Sequence, residues 1–188
     1  MREKTLSLTL PLNLSALSSA LIFTILSVFS FIVPFLFGHP QWLVGTIVNA
    51  CLFSAVIFLP KKFILPIIIF PGLGVASRGI IFGPFTIFLV YFLPFIWLAN
   101  LALVMVFKKL FPHFNYLFSV FLSATAKFLS LFIIAIIYFE FSLIPKAFLQ
   151  LMGINQFLTA IAGGLISWVI FNYYEKYNPR NQRTSSPY

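Results

Sequence analysis

A single lysine interrupts a long apolar stretch of this chain. Residues 121–138 read FLSATAKFLSLFIIAIIY, and Lys127 is the charged residue within them. A charge at the centre of a membrane-spanning helix costs about 2.5–3.5 kcal/mol on insertion scales, so such residues normally face a partner or a water-filled cavity. Three interpretations stay open: Lys127 pairs with an anionic ligand, donates hydrogen bonds to protein carbonyls and hydroxyls, or is buried as a neutral amine.

Small polar residues share one side of the predicted helix with Lys127. Their spacings of 4, 4, 4 and 3 residues follow the helical repeat, and they are Asn115, Ser119, Ser123, Lys127 and Ser130. This side is predicted to face protein, and the opposite side, rich in Phe, Leu and Ile, to face lipid. The chain has three acidic residues, and the nearest in sequence, Glu140, is more than three helical turns from Lys127. This shortage of acids favours an external anion or a solvated cavity as the partner of the lysine.

The composition places the chain among integral membrane proteins. Of its 188 residues, 61% are hydrophobic and 8% are charged, and the mean hydropathy is +1.06. The net charge of +9 comes from short basic pairs between apolar runs rather than from one basic face, so nucleic acid is not expected as a partner. One cysteine and two histidines rule out a disulfide framework and argue against a metal site or cofactor.

Apolar runs of spanning length predict an all-α, six-transmembrane-helix bundle. The predicted spans are residues 8–37, 43–59, 63–77, 84–107, 114–141 and 155–174. They form one transmembrane domain over residues 1–176, followed by a tail, residues 177–188, that is predicted to be disordered. The basic N-terminus is shared with signal peptides, but its apolar run is longer and has no small-residue cleavage site, so a retained first helix is expected.

Basic residues alternate between the two ends of the predicted spans. One end has Arg78 and Lys146, and the other has Arg2, Lys4, Lys61, Lys62, Lys108, Lys109, Lys176, Arg180 and Arg183. The positive-inside rule then places both termini in the cytoplasm, in a multi-pass protein of the cytoplasmic membrane surrounded by lipid.

The third predicted span is short and rich in residues that interrupt helices. Pro66 and Pro71 lie within it, and several glycines and Pro84 follow. We therefore expect an irregular outer end at residues 70–84, forming an outward-facing cavity or cap, because irregular backbone at membrane depth must be satisfied by protein or water.

Polar residues on other spans are candidates to meet Lys127. Asn49 lies about 9 Å below the outer end of the second span at helical rise, and Gln156 and Thr159 lie near the outer end of the sixth. For these three, hydrogen bonding between helices and contact with a ligand both remain open. Two further residues complete the candidate substrate-binding set: Trp42, which lies with Gln41 in the preceding outer loop, and Arg78, which would steer an anion electrostatically. A further polar residue, Asn100 on the fourth span, is interpreted as a helix-to-helix contact.

The first span contains Ala16-Leu-Ser-Ser-Ala20, a small-xxx-small pattern. Such a pattern allows helices to approach closely. Two interpretations are open for Ala16 and Ala20: packing within the bundle, or docking of another membrane subunit.

Together with the segment Gln156-Phe-Leu-Thr-Ala-Ile-Ala-Gly-Gly164, this pattern resembles the substrate-binding S components of energy-coupling-factor transporters. The resemblance extends over the whole chain in size, in helix number and in the expected cytoplasmic termini. It implies capture of a micronutrient from outside, with residues 38–42 and 70–84 closing over a pocket. It also implies that Ala16 and Ala20 touch a transmembrane coupling subunit, which works with ATPases.

Three classes of function follow. The leading one is a binding subunit for uptake of a small solute, anionic or zwitterionic to suit Lys127, with ATP hydrolysis by a separate module because the chain has no phosphate-binding loop. An enzyme is not expected, and no catalytic residues are assigned, because only Glu140 and Lys127 lie in or near the spans as possible acids or bases. The alternative is a structural or assembly subunit without a ligand, in which Lys127 bonds only to protein.

Overall fold

The fold is that of a computed structural model, which describes residues 15–37, 40–82 and 87–177. The predicted beginning of the first span, part of each of the two expected gates and the tail beyond residue 177 lie outside the described residues.

The described chain consists of helices, and the predicted all-α fold is confirmed. The helices are α1 (Ala16–Leu36), α2 (Gln41–Phe58), α3 (Ile64–Phe82), α4 (Ile87–Leu110), α5 (Tyr116–Glu140), α6 (Ala147–Met152) and α7 (Ile154–Tyr177), with a single 3-10 turn at Lys61–Phe63. Within the described residues, six segments are long and apolar enough to cross a membrane, with α6 and α7 together forming the sixth. The chain is a multi-pass membrane protein.

Side-chain caps fix the first residues of α1 and α5. The hydroxyl of Ser15 accepts a hydrogen bond from the backbone N–H of Ser18 at 3.1 Å. Asn115 Oδ1 accepts from the N–H of Phe118 at 2.8 Å. Asn115, predicted as a member of the polar side of the fifth span, is therefore its N-cap, because it satisfies a donor that the first helical turn leaves free.

The expected irregular outer end of the third span is wrong for residues 70–82. Helix α3 continues through Pro71 to Phe82. A proline inside a helix removes one backbone hydrogen bond and displaces the preceding turn, and side chains of α4 bond to carbonyls of that turn. Asn100 Nδ2 donates to the carbonyl of Ile68 at 3.3 Å, and Trp97 Nε1 donates to that of Ile69 at 3.1 Å. Neighbouring helices thus satisfy the exposed backbone, as is usual in membrane proteins.

Two connections also differ from the expectation. Gln41 and Trp42 were assigned to an outer loop, but they are the first two residues of α2, following Pro40, whose fixed backbone angle suits a helix start. The segment at residues 142–155 contains the short helix α6. Six residues carry too little periodicity for a helix to be predicted from sequence.

Helix α2 lies at the centre of the bundle, and every residue from Val48 to Phe58 is buried. It packs most extensively against α7. A Cβ atom added at Gly163 would lie 2.6 Å from the backbone nitrogen of Ala50. Only glycine therefore lets the backbone of α7 approach α2 this closely.

The predicted polar side of α5 is confirmed for three of its five residues, since the N-cap Asn115 is exposed and Ser130 is partly exposed. Ser119, Ser123 and Lys127 are buried, whereas Phe121 on the opposite side is 51% exposed. The polar side faces the bundle because unpaired polar groups are costly next to lipid.

Candidate ligand-binding site

A partly enclosed cavity of about 350 Å³ extends from one end of the bundle to its middle. Every helix from α1 to α7 contributes residues to its wall, and Phe37, the C-cap of α1, lines it as well. Near the bundle end the lining includes Gln41 at the start of α2. At the deep end it includes Asn100 and Lys127, which lie near the centres of α4 and α5. Its volume is at the lower end of the range of about 300–1,000 Å³ that is typical of small-molecule sites.

Four polar side chains line the cavity among apolar ones: Gln41, Asn100, Lys127 and Gln156. A mostly apolar wall with a few convergent polar groups is typical of a site for a small organic ligand, because the apolar area provides affinity and the polar groups fix orientation.

The amine of Lys127 is held between two asparagine side chains. Its Nζ atom donates to Asn49 Oδ1 and to Asn100 Oδ1, each at 2.7 Å, and the residue is only 3% exposed. Because a protonated lysine has three N–H donors, these two contacts leave one for a group in the cavity.

The hydrogen bonds behind Asn49 orient it toward the lysine. Asn49 Nδ2 donates to the carbonyl of Gly45 at 2.8 Å and to Thr159 Oγ1 at 3.3 Å. Thr159 Oγ1 in turn donates to the carbonyl of Asn155 at 2.8 Å. With both amide hydrogens used in this way, the amide oxygen must point at Lys127.

Asn100 is oriented by the bond from its Nδ2 to the carbonyl of Ile68, described above. Asn49, Lys127 and Asn100 thus join α2, α5 and α4 directly, while Thr159 and Ile68 extend the network to α7 and α3. We call these five residues the lysine network. It is a preorganised polar centre within an apolar bundle, because each amide is fixed before any ligand arrives.

Gly45 allows the lysine network to close. A Cβ atom added at this position would lie 2.9 Å from Thr159 Oγ1, so a larger residue would push Thr159 away from Asn49. Gly45 also lines the cavity.

Two glutamines meet at the end of the cavity away from Lys127. Gln41 Nε2 and Gln156 Nε2 donate to the same acceptor, the carbonyl of Leu151 in α6, at 3.3 and 3.2 Å. The other polar atom of one of them, Gln41 Oε1, is buried and has no hydrogen-bond partner among the described residues. A buried acceptor without a partner costs free energy that a ligand donor would recover.

The acidic residues that the structure describes are remote from Lys127. Glu140 is 13 residues further along α5, about 20 Å at helical rise, and Glu175 is at the far end of α7. Around Nζ the described partners are neutral amide oxygens. These dipoles would solvate an ammonium but leave its net charge uncompensated, so the deep end of the cavity is suited to an anion when Lys127 is protonated.

Four of the six predicted substrate-binding residues lie together. Lys127 and Gln156 line the cavity, and Asn49 and Thr159 lie behind Lys127 in the lysine network. Trp42, by contrast, is 64% exposed and does not belong to the cavity wall.

The sixth predicted residue, Arg78, is also outside the cavity wall. Its Nη1 atom donates to the carbonyls of Phe35 and Leu36 at 3.2 and 2.7 Å. Arg78 therefore binds the C-terminal turn of α1, where carbonyls lack helical partners and a cation is favourable.

Sequence reasoning missed two polar residues of the cavity wall. Asn100 was interpreted only as a helix contact, yet it also bonds to Lys127 and lines the cavity. Gln41 was assigned to a loop, but its spacing of four residues from Gly45 and seven from Val48 is the helical signal that would have placed it on the lining side of α2.

The two candidate docking residues lie on the outer surface of α1. Ala16 and Ala20 are exposed, as are their neighbours Leu17 and Leu21. Packing of these alanines inside the bundle, the first interpretation given above, is therefore not observed.

Neither a metal site nor a similar known protein indicates a function for this site. Among the residues that the structure describes, no group of three or more His, Cys, Asp or Glu side chains could hold a metal ion. No protein-family model matches the chain, and comparisons with curated proteins and with solved structures found no match.

Proposed function

We propose that this chain is the solute-binding subunit of a membrane uptake system, working with a separate ATP-driven coupling module. The observation that carries the proposal is the cavity of about 350 Å³ with the uncompensated Lys127 at its deep end. A buried cation in a membrane protein is a functional-site hypothesis by default, and here it faces a space of the size that small solutes occupy.

The distribution of charge supports uptake from outside. The described chain has Arg78 and Lys146 at the end where the cavity opens, and Lys61, Lys62, Lys108, Lys109 and Lys176 at the other end. By the positive-inside rule the cavity opens outward and the termini are cytoplasmic. A solute then enters beside Gln41 and stops at Lys127, halfway through the bilayer.

A coupling subunit is proposed to dock on α1. The exposed alanines Ala16 and Ala20 offer a surface on which a second helix can approach closely. The resemblance to energy-coupling-factor S components supports this placement, since their corresponding pattern contacts the transmembrane coupling subunit. ATPases would complete the module, and the solute would be released after reorientation of the bundle.

A structural subunit without a ligand is the second candidate. The lysine network favours it in one respect, because Lys127 already bonds to two side chains and holds five helices together. In such a protein the cavity would contain only water or lipid.

Native mass spectrometry of the full chain, gently extracted from its own host, tests the proposal. We expect a retained small molecule, or co-purifying coupling and ATPase subunits. Recovery of the bare chain, or of the chain within an unrelated membrane complex and without a small molecule, would favour the structural alternative.

A further inference from the structure

The deep end of the cavity presents hydrogen-bond donors. Lys127 uses two of its three N–H groups on Asn49 and Asn100, and Asn100 uses one of its two amide hydrogens on Ile68. Asn100 and, when protonated, Lys127 each keep one further N–H, and both residues line the cavity. The oxygens of both asparagines already accept from the lysine. Two free donors, one of them on a cation, fit the two oxygens of a carboxylate.

The outer end presents an acceptor instead. The amide nitrogens of Gln41 and Gln156 both donate to the carbonyl of Leu151. Gln41 Oε1 remains buried and without a partner within the described part of the chain. This oxygen has almost no surface open to the cavity, so the side chain of Gln41, which lines the cavity, must turn for the oxygen to accept from a ligand N–H or O–H. A second carboxylate would be repelled by it.

The two ends are separated by an apolar section one to two helical turns long. Gln41 is four residues from Gly45, which contacts Thr159, and eight from Asn49, which contacts Lys127. At helical rise these separations are about 6 and 12 Å. Between them the wall consists of aliphatic and aromatic side chains such as Val44, Val48, Ile96 and Phe148.

From these three features we infer the substrate class: a small amphiphilic monocarboxylate whose carboxylate binds Lys127 and Asn100. An N–H or O–H group at its other end, about 6–12 Å away across an apolar middle, donates to Gln41 Oε1. One negative charge matches the one uncompensated cation of the site. This assignment rests on the proposed solute-binding function.

A three-membered ligand series on the full-length wild-type protein in nanodiscs tests the inference, with empty nanodiscs as the control for partitioning into lipid. The probes are ω-hydroxyoctanoate, its methyl ester and octanoate. We expect ω-hydroxyoctanoate to bind, the neutral ester to bind at least tenfold more weakly because a charge-assisted contact is lost, and octanoate to bind about 3- to 10-fold more weakly because one neutral hydrogen bond is lost.

A pair of variants locates the outer contact. Gln41→Leu should bind ω-hydroxyoctanoate and octanoate equally, because the acceptor for the hydroxyl is gone. Gln150→Leu, the same substitution at an exposed glutamine of α6 outside the cavity wall, should keep the wild-type difference. If Gln41→Leu fails to fold, the ligand series on the wild-type protein still tests the inferred substrate class.

Equal binding of the acid and its methyl ester would overturn the inference. So would a series without any binding together with a neutral or cationic molecule retained from the host, although the proposed uptake function would then stand. A protein that binds none of the three probes and retains no small molecule would overturn both proposals.

Discussion

Two hollows lie in opposite halves of the bundle, and their described walls differ in charge. The first is the cavity of about 350 Å³ above Lys127. The second is an open groove of about 540 Å³ between α1, α2 and α7, which we call the tyrosine groove because Tyr173, Tyr174 and Tyr177 line it. Its described lining contains no charged side chain. The cavity thus differs from the tyrosine groove by the charged side chain in its wall, and this feature favours it as the candidate binding site.

The polar contacts between α2 and α7 show the same contrast. Toward the cavity, Asn49 and Thr159 belong to a network that includes a cation and reaches a hollow. Toward the tyrosine groove, the buried hydroxyls of Ser54 and Ser167 are 3.0 Å apart, and the Ser167 hydroxyl also interacts with the side chain of Tyr116. Neutral contacts of this kind are typical of helix-to-helix packing. One interface thus combines a structural contact and a candidate binding contact.

Loss of the charge at the deep end should have the largest effect. For Lys127→Met we expect solute affinity to fall about 10- to 100-fold, the range of a hydrogen bond to a charged group. Folding should be retained, because removing a buried charge offsets the two asparagine oxygens left without a donor. Binding of the retained solute and the melting temperature are the measurements.

The matched control is Lys109→Met at an exposed lysine of α4. Unchanged affinity in Lys127→Met, or an equal loss in both variants, would remove Lys127 from the site and assign it to structure alone.

The second-largest effect is expected on stability, where the backbones of α2 and α7 are in close contact. It should affect both halves of the bundle. Gly163→Ala places a methyl group 2.6 Å from the backbone nitrogen of Ala50, so α2 and α7 must separate. We expect a loss of about 1–3 kcal/mol in the free energy of unfolding, typical of overpacking. Thermal unfolding in detergent measures it, with Ala162→Ser at the adjacent, partly exposed position as the control. Equal melting temperatures for the two variants would show that the helices do not pack this closely.

Loss of the contact between Ser54 and Ser167 should have the smallest effect on stability. The double variant Ser54→Ala, Ser167→Ala removes both partners at once, so no unpaired hydroxyl is left behind, and the change in stability should be about 0.5 kcal/mol or less. Solute affinity should stay as in the wild type. Weaker binding would mean that the two halves of the interface are coupled and that the contrast drawn above is wrong.

The polar side of α5 could be predicted because helical periodicity is a local property of the sequence. The number of spans could be predicted from the length of the apolar runs, which is also a local property. Helix α6 could not be predicted, because six residues are too few to show a period. Pro71 suggested an interruption of α3, but Asn100 and Trp97 of α4 donate hydrogen bonds to carbonyls of the preceding turn. These bonds come from a neighbouring helix, so the sequence of α3 itself carries no signal of them.

The partners of Lys127 could be anticipated only in part. Asn49 was a candidate because its depth in the second span suited a meeting with the pocket, but its bond to the lysine joins residues 78 positions apart. Asn100 looked like one helix contact among many. Which polar residues converge is decided by the packing of whole helices, and that packing depends on sites such as Gly45 and Gly163, where small size allows close approach.

An experimental density map of the full-length protein, purified mildly and without added ligand, would test most directly that the cavity is a binding site. We expect non-protein density in the cavity within hydrogen-bond distance of Lys127 Nζ, and only lipid-like density in the tyrosine groove. A cavity without such density, with Lys127 bonded to Asn49 and Asn100 alone, would contradict the assignment and leave the lysine network as a structural device.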